Sequence, residues 1–73
     1  MTLDEQRAKE FAALDARLVA MKQTPTLQLL TDLADQAFDA LNELEECGLI
    51  SRRERVYWGE EFNAARRESR AAL

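Results

Sequence analysis

The sequence has no histidine, one cysteine, one proline and two glycines. Without histidine, imidazole acid–base catalysis and the usual zinc ligand sets are unavailable. A single cysteine, Cys47, makes neither an internal disulfide nor a Cys-rich metal site, and its use suits the cytoplasm. A nucleophilic cysteine needs a neighbouring base, and none stands near Cys47. The two glycines are isolated, so no Gly-rich phosphate loop exists. No apolar run approaches the roughly 20 residues of a membrane span. The acidic start, Met1-Thr2-Leu3-Asp4-Glu5, is no signal peptide. The expectation is a non-enzyme with no cofactor, no metal, no small-molecule substrate and no membrane association.

Positive charge is also scarce over a long stretch. Between Lys22 and Arg52 there is no lysine or arginine. Residues 1–50 carry ten acids and four bases, and residues 51–73 carry four acids and six arginines, which together give the net charge of −4. A pI near 4.7 argues against general nucleic-acid or membrane-surface binding. The charge asymmetry is one that a second copy, or a partner protein, can use.

Within that base-free stretch lies the segment around which the chain is organised. Leu27, Leu30, Ala34, Ala37, Leu41 and Leu44 step by three and four, as a helical seam does. Leu29, Leu33, Ala40 and Cys47 widen the seam on one flank, and Phe38 widens it on the other. An apolar arc covering roughly half the cylinder packs on two neighbours rather than one. The opposite side carries Asp32, Asp35, Asp39, Glu43 and Glu46 in one stripe with no basic residue on the same segment. Like charges at i,i+4 cost a few tenths of a kcal/mol per pair, which a strong apolar face offsets. The stripe is either a solvated face that keeps the protein in solution or a docking ridge for a basic partner.

Capping signals delimit the helices. Thr2-Leu3-Asp4-Glu5 and Ser51-Arg52-Arg53-Glu54 both read as capping boxes. Thr24 followed by Pro25 reads as an N-cap with proline at the first helical position. Gly48 is the expected left-handed residue after a helix end, with Leu49 or Ile50 tucking back on Leu44. Cys47 is expected to be a small buried hydrophobe. The fold is therefore all-α, one domain over 1–73: an antiparallel hairpin of helices at about 2–22 and 25–47, and a third helix at about 51–72. The third helix closes a three-helix bundle or crosses to a second copy. The expected core is Phe11, Leu14, Leu18, Leu30, Leu33, Ala37, Leu41, Leu44, Trp58 and Phe62, with Met21 as filler. A chain of this length buries only about 60% of its unfolded surface, so a homodimer is expected.

The first helix adds a run of alanines to its stripe of Leu3, Phe11, Leu14, Leu18 and Met21. In the third, the stripe Trp58, Phe62, Ala65, Ser69 and Ala72 is thinner, and the interior Gly59 marks a close approach or a weak point. Arg52, Arg66 and Arg70, flanked by Arg55 and Arg67, gather on one side of this helix with Val56. Tyr57 points about 100° from Trp58, so the two rings are expected at different places, with Tyr57 the exposed one. Near the second turn, Glu43, Glu45 and Glu46 oppose the dipole of their helix, and Arg52, Arg53 and Arg55 oppose that of the next. Mutual neutralisation across the turn is the structural explanation. A carboxylate, phosphate or acidic protein held by the arginines is the functional one.

Three functions follow. The first is a protein–protein interaction module, an adaptor, chaperone or inhibitor. It acts through Asp32, Asp35, Asp39, Glu43 and Glu46 and through Arg52, Arg55, Tyr57, Arg66 and Arg70. The second rests on residues 45–56, Glu45-Glu46-Cys47-Gly48-Leu49-Ile50-Ser51-Arg52-Arg53-Glu54-Arg55-Val56, which resemble the helix-turn-helix core of DNA-binding regulators. That resemblance implies a Ser-capped recognition helix with Arg52, Arg53 and Arg55 facing the groove. The acids beside the turn repel the phosphates that supply much of such affinity. In the third, a form of the inhibitor reading, the acidic stripe imitates a row of phosphates and occupies a nucleic-acid-binding protein; a purely structural role, such as an assembly subunit, stays open beside these.

Overall fold

The structure is a computed structural model that describes residues 2–73. It contains three helices: α1 (Leu3–Lys22), α2 (Leu27–Glu46) and α3 (Arg52–Ala72). The three pack against one another, most extensively α2 on α3 and least α1 on α2. The broad apolar arc of α2 thus covers two neighbours from its own chain, and α3 closes the bundle in cis. No helix among the described residues is long and apolar enough to cross a membrane.

Each helix begins on a hydroxyl cap. The Glu5 N–H donates to Thr2 Oγ1 at 3.1 Å, but the return bond that would complete a capping box is absent. The box at α3 is complete: the Glu54 N–H donates to Ser51 Oγ at 3.1 Å, and the Ser51 N–H donates to Glu54 Oε1 at 2.9 Å. The start of α2 differs from expectation. Thr24 does not cap it; its hydroxyl donates to the Ala20 carbonyl at 2.8 Å and closes α1. Its oxygen thus sits at the end of the preceding helix. Thr26, two residues on, caps α2 by accepting from the Leu29 N–H at 3.2 Å. Pro25 lies in the loop and not in the helix.

The end of α2 is a Schellman turn. Gly48 has φ +80, its N–H donates to the Glu45 carbonyl at 3.1 Å, and the Leu49 N–H donates to the Leu44 carbonyl at 2.9 Å. The turn folds Ile50 back into the core, where it is 4% exposed. Cys47 is exposed, contrary to expectation. It occupies the cap position with Sγ 3.5 Å from the Leu44 carbonyl, and Ile50 takes the core side of the turn in its place.

Leu14, Met21, Leu30, Ala34, Ala37, Leu41, Leu44, Ile50, Phe62 and Ala65 form the core. Phe11, Leu18, Leu33 and Trp58, expected inside it, pack at its rim and are only partly buried. Leu27 and Leu29, expected in the α2 seam and on its flank, are 51% and 48% exposed. They lie in the first turn of α2, at the end of the bundle, where few neighbouring side chains cover them. Ser69 is buried, and its hydroxyl donates to the Met21 carbonyl at 2.8 Å.

Candidate functional site

With one arc of α2 committed to the core, the acidic stripe faces outward. Asp32, Asp35, Asp39, Glu43 and Glu46 are all exposed. Among the described residues, none of them pairs with a basic side chain; Asp32 accepts only from Gln28 Nε2 at 3.2 Å. The stripe is continuous because its spacing matches the turn of the helix.

Beside it runs the groove between α2 and α3. These helices are antiparallel, and the residues that meet across the groove give the register. Leu27, Leu30 and Thr31 meet Arg66 and Arg70 at one end, in a hollow of about 240 Å³. Phe38 lies beneath Gly59 in the middle, 3.7 Å from where a Cβ would stand. Asn42, Glu45 and Glu46 meet Arg52 and Arg55 at the other end, in a hollow of about 490 Å³. Four arginines of α3 are thus divided between the two ends of one groove, Arg66 and Arg70 at one and Arg52 and Arg55 at the other.

Neutralisation across the second turn is limited. Arg55 is 3.4 Å from Glu45 and donates two bonds to Asn42 Oδ1, at 2.6 and 3.0 Å. No other pair of the two sets forms an ion pair among the described residues. Arg53 turns to a different side of α3, into a hollow it shares with Phe11, Glu54, Tyr57 and Trp58. The 100° step between neighbouring residues separates it from Arg52.

This third hollow, about 420 Å³, lies between α1 and α3. Phe11 and Trp58 stack there with centroids 6.1 Å apart and planes at 15°. Tyr57 is 56% exposed, and its ring meets the Trp58 ring edge-on at 5.7 Å and 78°. The two rings therefore share one site, against expectation. Trp58 stops at the rim of the core instead of entering it, and the long phenol ring leans across the helix face to reach it.

Arg7 holds this side together, a residue the sequence reasoning did not single out. Its guanidinium is 2.7 Å from Glu54 Oε2 and lies 5.4 Å from the centroid of Phe11. The Arg7–Phe11 spacing of one helical turn is a local signal for the second contact, but nothing local indicates the first. Glu54 consequently has its carboxyl held below the ordinary glutamate range. The Ser51 backbone N–H is the main cause, partial desolvation opposes it, and the Ser51 side chain and Arg7 add to the lowering.

Chemically, these sites offer charge, aromatic surface and hydrogen-bond donors. Comparison with protein-family models, with curated proteins and with solved structures finds no match to this chain.

Proposed function

We propose that the protein is a small non-catalytic protein–protein interaction module, an adaptor, chaperone or inhibitor of another protein. Asp32, Asp35, Asp39, Glu43 and Glu46 form its main docking ridge, and the arginines of α3 with Tyr57 form the flanking contacts. The observation that supports this reading most is the exposure of all five carboxylates with no basic partner among the described residues. Such a ridge keeps its charge free for a surface that presents lysines and arginines. The exposed arginines beside it, and Tyr57 on the α1–α3 side of the bundle, are the types that anchor protein interfaces. Self-association belongs to the same reading, because a short chain gains stability by covering more of its surface.

Affinity capture from a lysate, repeated with the double variant Asp35→Lys, Asp39→Lys, tests the ridge. Recovery of a basic partner by the native chain, weakened by salt and lost in the variant, is the expected result. Equal recovery by both forms rejects the ridge as the docking site. A captured protein that also binds nucleic acid, displaced by a DNA or RNA competitor, would identify the ridge as a phosphate mimic. Retardation of DNA by the chain itself would instead favour the helix-turn-helix reading.

A further inference from the structure

We infer that the face shared by α2 and α3 joins two copies of this chain, with the two-fold axis parallel to the helices. The inference rests on the reading above that this face docks protein, and it commits the face to a second copy.

The face has an acidic bank and a basic bank. Asp35, Asp39 and Glu46 are exposed on α2, and Arg52, Arg66 and Arg70 are exposed on α3. None of these six takes part in an ion pair among the described residues. Between the banks lies half-buried Phe38, facing Gly59 of α3. The face is therefore divided in charge along its length and apolar towards its middle.

Two copies can meet face to face about a two-fold axis in two simple ways. An axis across the helices lays α2 on α2 and α3 on α3, placing like charges together. An axis along the helices lays α2 of each copy on α3 of the other at the same level, so each acidic bank meets a basic one. Because the interface is isologous, each such pairing occurs twice. The register supports the second arrangement. Glu46 and Arg52 line the same end of the groove, so Glu46 of one copy comes level with Arg52 of the other. Thr31 and Arg66 line the opposite end, which brings Asp35 within about one helical turn of the second copy's Arg66. An arginine side chain spans that offset.

The available area is adequate. Two adjacent helices of this length, about 30 Å long and together about 20 Å wide, offer roughly 600 Å² per copy. The total of about 1,200 Å² lies at the lower limit of specific interfaces. The dimer is therefore expected to be concentration-dependent, and weakened by salt because its rim is charged.

Sedimentation of the full chain at several concentrations tests the inference, with Asp35→Lys/Asp39→Lys and Arg66→Glu/Arg70→Glu as partner variants. The native chain is expected to dimerise, each variant alone to stay monomeric, and an equimolar mixture to form a one-to-one dimer. Circular dichroism verifies that each variant is folded; if one is not, Asp39→Asn and Arg66→Gln replace the pairs and are expected to weaken the dimer at least several-fold. A native chain that is monomeric throughout, or variants that dimerise as well as the native chain, overturns the inference. A monomer that still captures a basic partner through the ridge ends the dimer and leaves the module reading standing. Restored pairing of the mixed variants, with partner capture indifferent to ridge reversal, does the reverse.

Discussion

The Ser69 hydroxyl donates to the Met21 carbonyl across 48 residues of chain, at 2.8 Å. In an α-helix that carbonyl would accept from the N–H four residues on. Residue 25 is proline and has no N–H. Met21 is fully buried, so its carbonyl is shielded from water. Ser69 on α3 supplies the donor that Pro25 lacks and pins the end of α3 to the end of α1. Ser69→Ala is expected to cost about 1–3 kcal/mol, because it leaves a buried acceptor unsatisfied. Urea unfolding checks this, and an unchanged midpoint would show that the bond contributes nothing.

Leu41 lies at the centre of the α2 seam and is 1% exposed. Leu41→Asp places a charge among apolar side chains with no partner and is expected to unfold the chain, a loss of several kcal/mol. Loss of helical circular dichroism at room temperature is the readout. A folded variant would show that the centre of α2 is not packed in the core.

Gly59 sits inside α3, where a Cβ would meet only the Phe38 ring at 3.7 Å, an ordinary contact. The sequence left open a close approach or a weak point, and the spacing identifies the weak point. Gly59→Ala is expected to stabilise the fold by about 0.5–1 kcal/mol through helix propensity and the entropy of the unfolded chain. A lowered melting temperature would mean that the contact with Phe38 is tighter than the geometry indicates.

Glu54 links α3 to its cap and to Arg7, and its folded pKa lies below the ordinary value of about 4.5. A group whose pKa falls on folding stabilises the native state in its charged form. Its contribution is fully present above the ordinary value and is lost as pH falls through the lowered one. The stability difference between the native chain and Glu54→Gln is therefore expected to be constant near neutrality and to shrink on acidification below about pH 4.5. A difference that stays constant down to pH 2 would show that the carboxylate charge plays no part.

The element ends were legible because capping chemistry is local. Thr2, Ser51 and Gly48 each act within four residues of their own position. The one misplaced cap, Thr24 for Thr26, fell where two threonines flank the same proline and the local rules do not discriminate between them. The acidic stripe was legible too, since it lies on a single helix and needs only the helical period. Cys47 was misjudged because its angle on the wheel is apolar, while the Schellman turn gives the core position to Ile50. The meeting of Tyr57 with Trp58 was missed because the wheel records directions from the axis and not the reach of a ring.

The amino-acid order by itself determined three helices, their stops and starts, and the side of α2 that avoids water. Those features arise from interactions spanning a turn or less, so the neighbours that cause them are also neighbours in the chain. The tertiary structure decided that Arg7 meets Glu54, that Phe11 stacks on Trp58 and that Ser69 serves Met21. Each of these contacts joins α1 to α3 across the whole of α2, and depends on the angle and depth at which α3 settles into the hairpin. That placement is set by the packing of the entire core, a sum over many weak contacts that leaves no periodic mark in any one segment.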